Sequence, residues 1–200
     1  CWVQVGTNSR GIVMQFGEHV RTLGPGLHFK WPMGIEEVEH VETEKQHKLE
    51  FGYRTERAGV NTQYSDRNFE NESLMLTGDL NVVDVEWAVQ YRISDAEKYL
   101  FQVRNPRGTL RYMSQAVMRE VVGDRTVNEV LTVGRTKVAQ RVKDKLQKLC
   151  EEYSIGVRIA QVIPQDITPP DKVQPSFNEV NAAQQEKETL VNQAKAQKNK

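Results

Sequence analysis

Residues 82–93 alternate between apolar and polar side chains over the full length of a long strand. From position 83 onward the odd positions are apolar and the even positions are polar or small. A repeat of two residues places one set of side chains on one face of a β-strand, so this stretch predicts a strand with one buried face. We expect that face to pack against the helices that follow it. The apolar set is Val83, Val85, Trp87, Val89, Tyr91 and Ile93.

Two β-hairpins are predicted from alternation and from turn-forming residues. The first spans residues 11–31 and breaks at the GPG of 24–26, because proline fixes φ and glycine tolerates positive φ. The second spans residues 73–93 and turns at the TGD of 77–79. Residues 58–72 are polar enough to be an exposed loop. The first hairpin is expected to carry Ile12, Met14 and Phe16 on one strand and Leu27, Phe29 and Trp31 on the other.

Two long amphipathic helices are predicted at residues 109–122 and 135–153, where apolar residues recur at steps of three and four. Ser94 is expected to cap a shorter helix before them, with Glu97 completing a capping box. Gly123 is expected to end the first long helix in the left-handed conformation. The two apolar faces consist of Leu110, Met113, Val117 and Val121, and of Val138, Val142, Leu146, Leu149 and Tyr153.

The last quarter of the chain predicts a strand, a stiff connector and a terminal helix. Residues 155–163 alternate as a strand, which Pro164 is expected to stop. Four prolines between 164 and 175 indicate a connector that is a poor helix former. Residues 176–200 contain no glycine or proline and are rich in good helix formers, so they predict one continuous helix.

The terminal helix has too few apolar positions to be stable by itself. Val180 and Val191, and likewise Ala183 and Ala194, are eleven residues apart, a spacing typical of a nearly straight coiled coil. We therefore expect the helix to continue past residue 200 and to form the base of an oligomer's stalk. The stalk candidates are Phe177, Val180, Ala183, Val191 and Ala194.

Composition narrows the class of protein. The 200 residues carry 27 basic and 27 acidic side chains, which argues against a nucleic-acid surface, since such surfaces concentrate lysine and arginine. No window reaches the eighteen or so consecutive apolar residues of a transmembrane helix. The start, CWVQ, has neither a methionine nor a signal peptide, so we expect the chain to be part of a longer product.

The residues that could carry chemistry form no recognisable site. His19, His28, His40 and His47 lack metal-ligand spacing and are expected at the solvated surface. Cys1 and Cys150 fit neither a disulfide framework nor a C-x-x-C motif. Cys150 is expected to be a buried structural thiol rather than a nucleophile. The carboxylates at 36, 37, 39, 42 and 44 are expected to form a solvated face. We therefore predict no catalytic, cofactor-binding or metal-binding residues.

Three aromatic residues near the start of the chain are candidates for contact with a membrane. The candidates are Trp2, Phe29 and Trp31, and tryptophan, like tyrosine, is enriched where one end of a side chain is apolar and the other is wet. Each of them could instead lie in the core, and for Phe29 that is the favoured expectation.

Four segments of the chain resemble the stomatin, prohibitin, flotillin and HflK/C superfamily, the SPFH or band-7 family. They are RGIVMQFGEHVRTLGPGLHFKWP, LMLTGDLNVVDVEWAVQYRISDAEKYLF, VLTVGRTKVAQRVKDKLQKL and ITPPDKVQPSFNEVNAAQQEKE. The most specific pieces are MLTGDLNVV with VQYRISDAEKYLF, and LTVGR. Among the branches of the family, the resemblance is greatest to HflK proteins and covers nearly the whole chain.

This resemblance implies an α+β fold in three parts. Residues 1–70 would form an N-terminal β-rich SPFH subdomain, and residues 71–168 an α/β subdomain with antiparallel strands and packed helices. Residues 169–200 would start a long coiled-coil helix. Family members of this branch have one transmembrane helix before this region, in the bacterial inner membrane, and place the region in the periplasm.

The resemblance also implies partners. Proteins of this branch alternate with an HflC-like paralogue in a large hetero-oligomer that encloses the FtsH protease, and the family has no catalytic residues to carry over. We expect no cofactor. The leading hypothesis is therefore a scaffold that controls access of substrates to FtsH, with lipid near its N-terminus and no nucleic acid. Two alternatives stay open: a stomatin-like or prohibitin-like scaffold for another membrane partner, and a hydrolase that uses Cys150.

Overall fold

The computed structural model describes residues 2–32, 34–57, 63–64, 69–131, 134–170 and 173–198. The strands in this part of the chain are β1 (Trp2–Val5), β2 (Ser9–Gln15), β3 (Glu18–Leu23), β4 (Gly26–Phe29), β5 (Glu36–Glu42), β6 (His47–Phe51), β7 (Thr55–Arg57), β8 (Gln63–Tyr64), β9 (Leu74–Leu76), β10 (Val82–Ile93) and β11 (Val157–Thr168). The helices are α1 (Glu70–Ser73), α2 (Ala96–Phe101), α3 (Pro106–Gly123), α4 (Val127–Leu131), α5 (Gly134–Glu152) and α6 (Gln174–Lys198). The predicted α+β class is confirmed.

The main antiparallel sheet is built around β10, the alternating strand. β11 pairs with one edge of β10, and β6 and β9 pair with successive parts of the other edge. Every odd position from 83 to 93 is buried, and most of these side chains share one core with α3 and α5. At its centre the rings of Trp87 and Phe51 stack 4.4 Å apart and nearly parallel. The prediction of a strand with one buried face, packed against two helices, is confirmed.

The helix faces that cover this sheet are largely as predicted. Leu110, Val117 and Val121 on α3 are buried, and Met113 is partly buried against the same core. On α5 the buried positions include Val138, Val142 and Leu146, with Leu149 partly buried. The prediction for Tyr153 is wrong, because α5 ends at Glu152 and the Tyr153 side chain is exposed.

The first predicted hairpin has different strand partners from those expected. β2 turns at Phe16 and Gly17 and pairs with β3, not with the strand that carries Phe29. That strand, β4, pairs instead with β1. The GPG of 24–26 therefore connects two sheets rather than the arms of one hairpin. The second hairpin, β9 and β10 around the TGD turn, is confirmed.

Several predicted element ends are wrong. The side chain of Asp95, not Ser94, caps α2 by accepting from the backbone N–H groups of Glu97 and Lys98. Gly123 does not take positive φ, and Asp124 caps α3 with ordinary backbone angles. β11 continues through Pro164 to residue 168, because the proline lies opposite Trp87 beside a register shift, where a missing N–H is tolerated.

The predicted loop at 58–72 is described only in part. Residues 58–62 and 65–68 lie outside the described residues, whereas Gln63 and Tyr64 form β8, and 70–73 form the single turn α1.

A smaller sheet lies against the N-terminal side of this core. Its strand order is β3-β2-β5, and its two faces belong to different clusters. On one face, Ile12 and Val41 pack with Ile93 and Ala96. On the other, Val13 and Leu23 pack with Val5 of β1. The boundary at residue 70 stays a prediction, and hydrogen bonding crosses it because β6 joins the main sheet through β10.

One carboxylate ties α1 to both α3 and the end of β6. Glu72 accepts from Arg111 Nη2 at 2.7 Å and from Arg54 Nη2 at 2.8 Å. The Arg111 guanidinium also lies over the Phe51 ring, and that of Arg54 lies over the Phe69 ring. We call these five residues the Glu72 cluster. Burial alone raises the pKa of Glu72, but the two guanidiniums outweigh it and hold that pKa below its ordinary value.

Replacing Glu72 by glutamine is expected to lower the free energy of unfolding by about 2 kcal/mol at neutral pH, because two part-buried guanidiniums lose a charged partner. Since the folded-state pKa lies below the ordinary 4.5, this stabilisation is complete above about pH 5 and is lost as the pH falls through the folded-state value. Urea unfolding of wild type and Glu72→Gln from pH 3 to 7 measures it.

The control is Glu152→Gln, an exposed carboxylate at the end of α5 without an ion pair in the described residues. It should leave stability unchanged. If the difference in free energy of unfolding between wild type and Glu72→Gln does not shrink as the pH falls toward 3, the charge-based account is contradicted.

Candidate interaction surfaces

The three aromatic candidates for membrane contact lie together on the ribbon of β1 and β4. Trp2 is the cross-strand partner of Phe29, and their rings meet edge to face with centroids 5.7 Å apart. Trp31 meets Phe29 in the same way at 6.4 Å. The exposed fractions of Trp2, Phe29 and Trp31 are 67%, 52% and 58%. We call these three residues the aromatic edge.

The expectation that Phe29 lies in the core is wrong, and strand pairing explains why. The ribbon of β1 and β4 packs on the small sheet through Val3 and Val5, which share one of its faces. Alternation places Trp2 and Phe29 on the opposite face, with Leu27 also exposed beside them. The result is a contiguous exposed apolar face, which soluble monomers seldom leave uncovered.

A buried carboxylate fixes the segment that carries this edge. Glu36 is only 3% exposed, and its Oε2 accepts from the Trp31 backbone N–H at 3.0 Å and from Arg21 Nη2 at 3.0 Å. Arg21 also donates to the Phe29 carbonyl. The expectation that all the carboxylates of residues 36–44 are solvated is therefore wrong for Glu36. It is a positioning residue for Trp31.

The terminal helix α6 is continuous over 25 residues, as predicted. Every side chain of α6 that the structure describes is exposed, including Ala183, Val191 and Ala194, and Leu190 is exposed beside them. The side chains of Phe177 and Val180 lie outside the described residues. A helix this long with no buried side chain in the described part gains nothing from its own chain, so its stability depends on propensity or on a partner.

Groups with catalytic potential are dispersed or inert. Burial, with a smaller contribution from the charge of Glu151, raises the pKa of the Cys150 thiol to about 12. Cys150 is 2% exposed among the core residues of α5. Within the described residues, no group of three or more His, Cys, Asp or Glu side chains is arranged to hold a metal ion. Among the helices described, none combines the length and apolarity needed to cross a membrane.

In a Cys1→Ser background, the Cys150 thiol is expected to be unreactive toward a disulfide reagent at pH 8, because it is buried and protonated. Stoichiometric reaction should appear only in denaturant, and the release of the reporter thiolate measures it. Rapid reaction of the folded protein contradicts this expectation.

Comparison with known proteins gives the family. The SPFH domain / Band 7 family matches residues 3–198, which is nearly the whole chain. The chain belongs to this family. The matched residues run from β1 to the end of α6.

The chain is similar to several bacterial proteins. Protein HflK of Treponema pallidum is 39% identical over 198 residues, which is 98% of this chain and 60% of the relative. Protein HflK of Borreliella burgdorferi is 31% identical over 98% of this chain and 62% of its own length. A relative from Escherichia coli K12, named Modulator of FtsH protease HflK, is 32% identical over 95% of this chain. The chain spans 40% of that protein's length.

The segment MLTGDLNVV contacts the connection between α3 and α4. The Gly78 N–H donates to the Arg125 carbonyl at 2.7 Å, and a β-carbon at position 78 would come within 2.7 Å of the Gly123 carbonyl. Asp79 Oδ1 accepts from the Val127 N–H and from the Thr77 hydroxyl. The TGD turn therefore fixes the corner between α3 and α4 against the main sheet.

The segment VQYRISDAEKYLF makes a second junction in the SPFH domain. The Gly156 carbonyl accepts from the backbone N–H groups of Ser94 and Asp95. Gly156 has φ of +73°, and a β-carbon there would overlap the Asp95 carbonyl. These two segments therefore hold neighbouring elements of the SPFH domain together.

Proposed function

We propose that this SPFH domain is the non-catalytic scaffold of a membrane-anchored modulator of the FtsH protease. It assembles with an HflC-like paralogue into a large hetero-oligomer around FtsH and controls the access of membrane-protein substrates to the protease. The observation that carries the proposal is the E. coli relative named Modulator of FtsH protease HflK, which matches this chain over 95% of its length.

The exposure of the α6 side chains supports the proposed assembly. Its described side chains are all exposed, yet Leu190 and Val191 are apolar and adjacent on a long regular helix. Packing with parallel copies of the same element would bury these residues and stabilise the helix. In this proposal residues 169–200 begin the stalk. The two subdomains, 1–70 and 71–168, pack side by side with those of neighbouring subunits and surround FtsH.

The aromatic edge supports a membrane-facing orientation. Tryptophan and other amphipathic aromatic residues favour the interface between lipid headgroups and acyl chains. Trp2 and Trp31 offer such side chains beside Phe29, and Glu36 holds the backbone of Trp31 in place. We place the protein in the bacterial inner membrane, with one spanning segment outside residues 1–200 and the SPFH domain on the periplasmic side.

The geometry of Cys150 argues against the hydrolase alternative. A nucleophilic cysteine needs a lowered pKa and access to substrate, whereas this thiol is buried and its pKa is raised to about 12. In this proposal the thiol only fills space in the core.

Degradation of a membrane-protein substrate by FtsH tests the proposal. In native membranes, removal of the full-length protein is expected to change the degradation rate of that substrate, and returning wild type or Cys150→Ala should restore it. A soluble FtsH substrate serves as the control. An unchanged rate after removal contradicts the proposal, and failure of folded Cys150→Ala to restore it favours the hydrolase.

A further inference from the structure

The turn between β9 and β10 places a leucine where the backbone favours glycine or asparagine. The Thr77 carbonyl accepts from the Leu80 N–H at 3.0 Å, and the Thr77 N–H donates to the Asn81 carbonyl at 2.9 Å. Residues 78–80 therefore form a three-residue loop, whose last position takes the left-handed conformation. Leu80 occupies that position with φ of +62°. A residue with a β-carbon is strained there, and asparagine is less strained than leucine.

Leu80 belongs to an exposed apolar patch. Its own chain leaves it 78% exposed, and the cross-strand partners Leu76 and Val82, on either side of the turn, are 53% and 44% exposed. These two lie on the sheet face opposite to α3 and α5, because Met75 and Val83 occupy the buried face. We call Leu76, Leu80 and Val82 the turn patch. Strain is retained where structure or function requires it, and exposed apolar patches mark contact sites, so a contact outside the chain accounts for both features.

The turn patch lies at the end of β10 that is remote from the small sheet. The small sheet meets β10 at its last residue, where Ile12 packs with Ile93 and Ala96, whereas Val82 is the first residue of the strand. At about 3.3 Å per residue, the two ends of β10 are about 36 Å apart. The ribbon that carries the aromatic edge packs on the far face of the small sheet. Lipid that meets the aromatic edge is therefore not the occupant of the turn patch.

The stalk leaves the domain at the same end of β10 as the turn patch. β11 ends at Thr168, which pairs with Asp84, and the connector then leads through Val173, 46% exposed, to α6 at Gln174. β9 and β11 pair with opposite edges of β10, so the turn patch and the connector flank the root of the stalk on opposite sides. Packed helices lie about 8–10 Å apart. Parallel stalks therefore bring the β9 edge of one subunit toward the β11 edge of the next.

We propose that the turn patch docks on the connector of a neighbouring SPFH chain, with Leu80 against Val173. This inference rests on the stalk of the proposed function. The occupant is a second SPFH chain because the contact continues the stalk interface and joins two exposed apolar surfaces. Each subunit uses its turn patch on one side and its connector on the other, so the contact is heterologous and repeats around a closed ring.

The test compares Leu80→Asn with Phe16→Asn. Phe16 is a matched control, since it is also apolar, 85% exposed and left-handed, with φ of +52°, but it forms with Gly17 the type I′ turn between β2 and β3. Asparagine tolerates the left-handed conformation, so both substitutions should raise the Tm of the 200-residue chain by about 3 °C. Sedimentation velocity over a dilution series of the detergent-solubilised full-length complex measures assembly.

We expect Leu80→Asn to raise the concentration at which half of the complex has dissociated by about tenfold, although the chain itself becomes more stable. Val173→Asn should do the same, and the double variant should weaken assembly by less than the product of the single effects. Phe16→Asn should leave the concentration unchanged. Equal dissociation of wild type and Leu80→Asn overturns the inference, as does an equal loss in Phe16→Asn. If the stalk variant Leu190→Asp with Val191→Asp disperses the complex but Leu80→Asn does not, the inference fails and the stalk stands.

Photocrosslinking identifies the occupant. In native membranes, Leu80→benzoylphenylalanine in the full-length protein is expected to crosslink to a second SPFH chain, at or beside the connector, as mapped by mass spectrometry. Crosslinks to FtsH or to lipid in place of an SPFH chain overturn the inference.

Discussion

Replacing Trp87 by alanine is expected to lower the free energy of unfolding by about 4 kcal/mol. Trp87 lies at the centre of β10, is fully buried, and stacks on Phe51 at 4.4 Å. Its removal leaves a cavity between the sheet and α3 and α5, which β10, paired on both edges, cannot close by moving. Urea unfolding followed by far-UV circular dichroism measures the loss.

The control for this prediction is Trp87→Phe. In the described residues the Trp87 Nε1–H is buried without a hydrogen-bond partner, so its loss removes an unfavourable group. Phenylalanine keeps the stack on Phe51, so we expect the free energy of unfolding to fall by less than about 1.5 kcal/mol. If Trp87→Ala is tolerated as well as Trp87→Phe, the main sheet is not the rigid block on which this account relies.

Replacing Leu190 and Val191 together by aspartate is expected to disperse the full-length oligomer. Each leucine or valine that is buried on assembly contributes about 1.5–3 kcal/mol to the free energy of association, and the substitution removes that contribution from every subunit of the stalk. In addition, two carboxylates per helix would face neighbouring helices. Sedimentation velocity of the detergent-solubilised full-length protein measures the shift from a large species to small ones.

The matched control is the pair Gln185→Asp and Asn192→Asp, which adds the same charge at polar positions of α6. We expect that variant to sediment like the wild type. Because the described side chains of α6 are exposed, neither pair should alter the Tm of the 200-residue chain. An unchanged sedimentation profile for the Leu190 and Val191 variant contradicts the stalk proposal.

Local periodicity was enough to predict the elements that bury one face. β10, α3 and α5 each repeat apolar residues at the period of their own geometry, so their core faces could be read directly. A second local signal was available and was missed. Thr126 and Glu129 form a capping box at the start of α4, with the Glu129 carboxylate accepting from the Thr126 N–H at 3.0 Å.

Strand partners and single-residue environments needed the three-dimensional structure. Whether β4 pairs with β1 or with β2 depends on contacts between sheets, and that choice decides whether Phe29 is buried. Glu36 is buried because Arg21 and the Trp31 N–H come together around it, from positions fifteen and five residues away. Pro164 is tolerated because of a register shift that no sequence pattern marks.

The place of Phe16 in a turn also needed the three-dimensional structure. Sequence alternation places it with Ile12 and Met14 on one strand, and nothing in that pattern distinguishes the last apolar residue of a strand from the first residue of a turn. The dipeptide Phe-Gly is not a recognised signal for a type I′ turn. Only the backbone angles of residues 16 and 17 identify the turn and the strain in it.

The central claim is that the SPFH domain serves a large membrane assembly that contains FtsH. The most direct test solubilises the full-length protein from native membranes in mild detergent and determines the mass and composition of the complex. The account predicts one large complex that contains this protein, an HflC-like paralogue and FtsH. A complex that contains neither partner contradicts it, and a different membrane protein in their place identifies a scaffold of another kind.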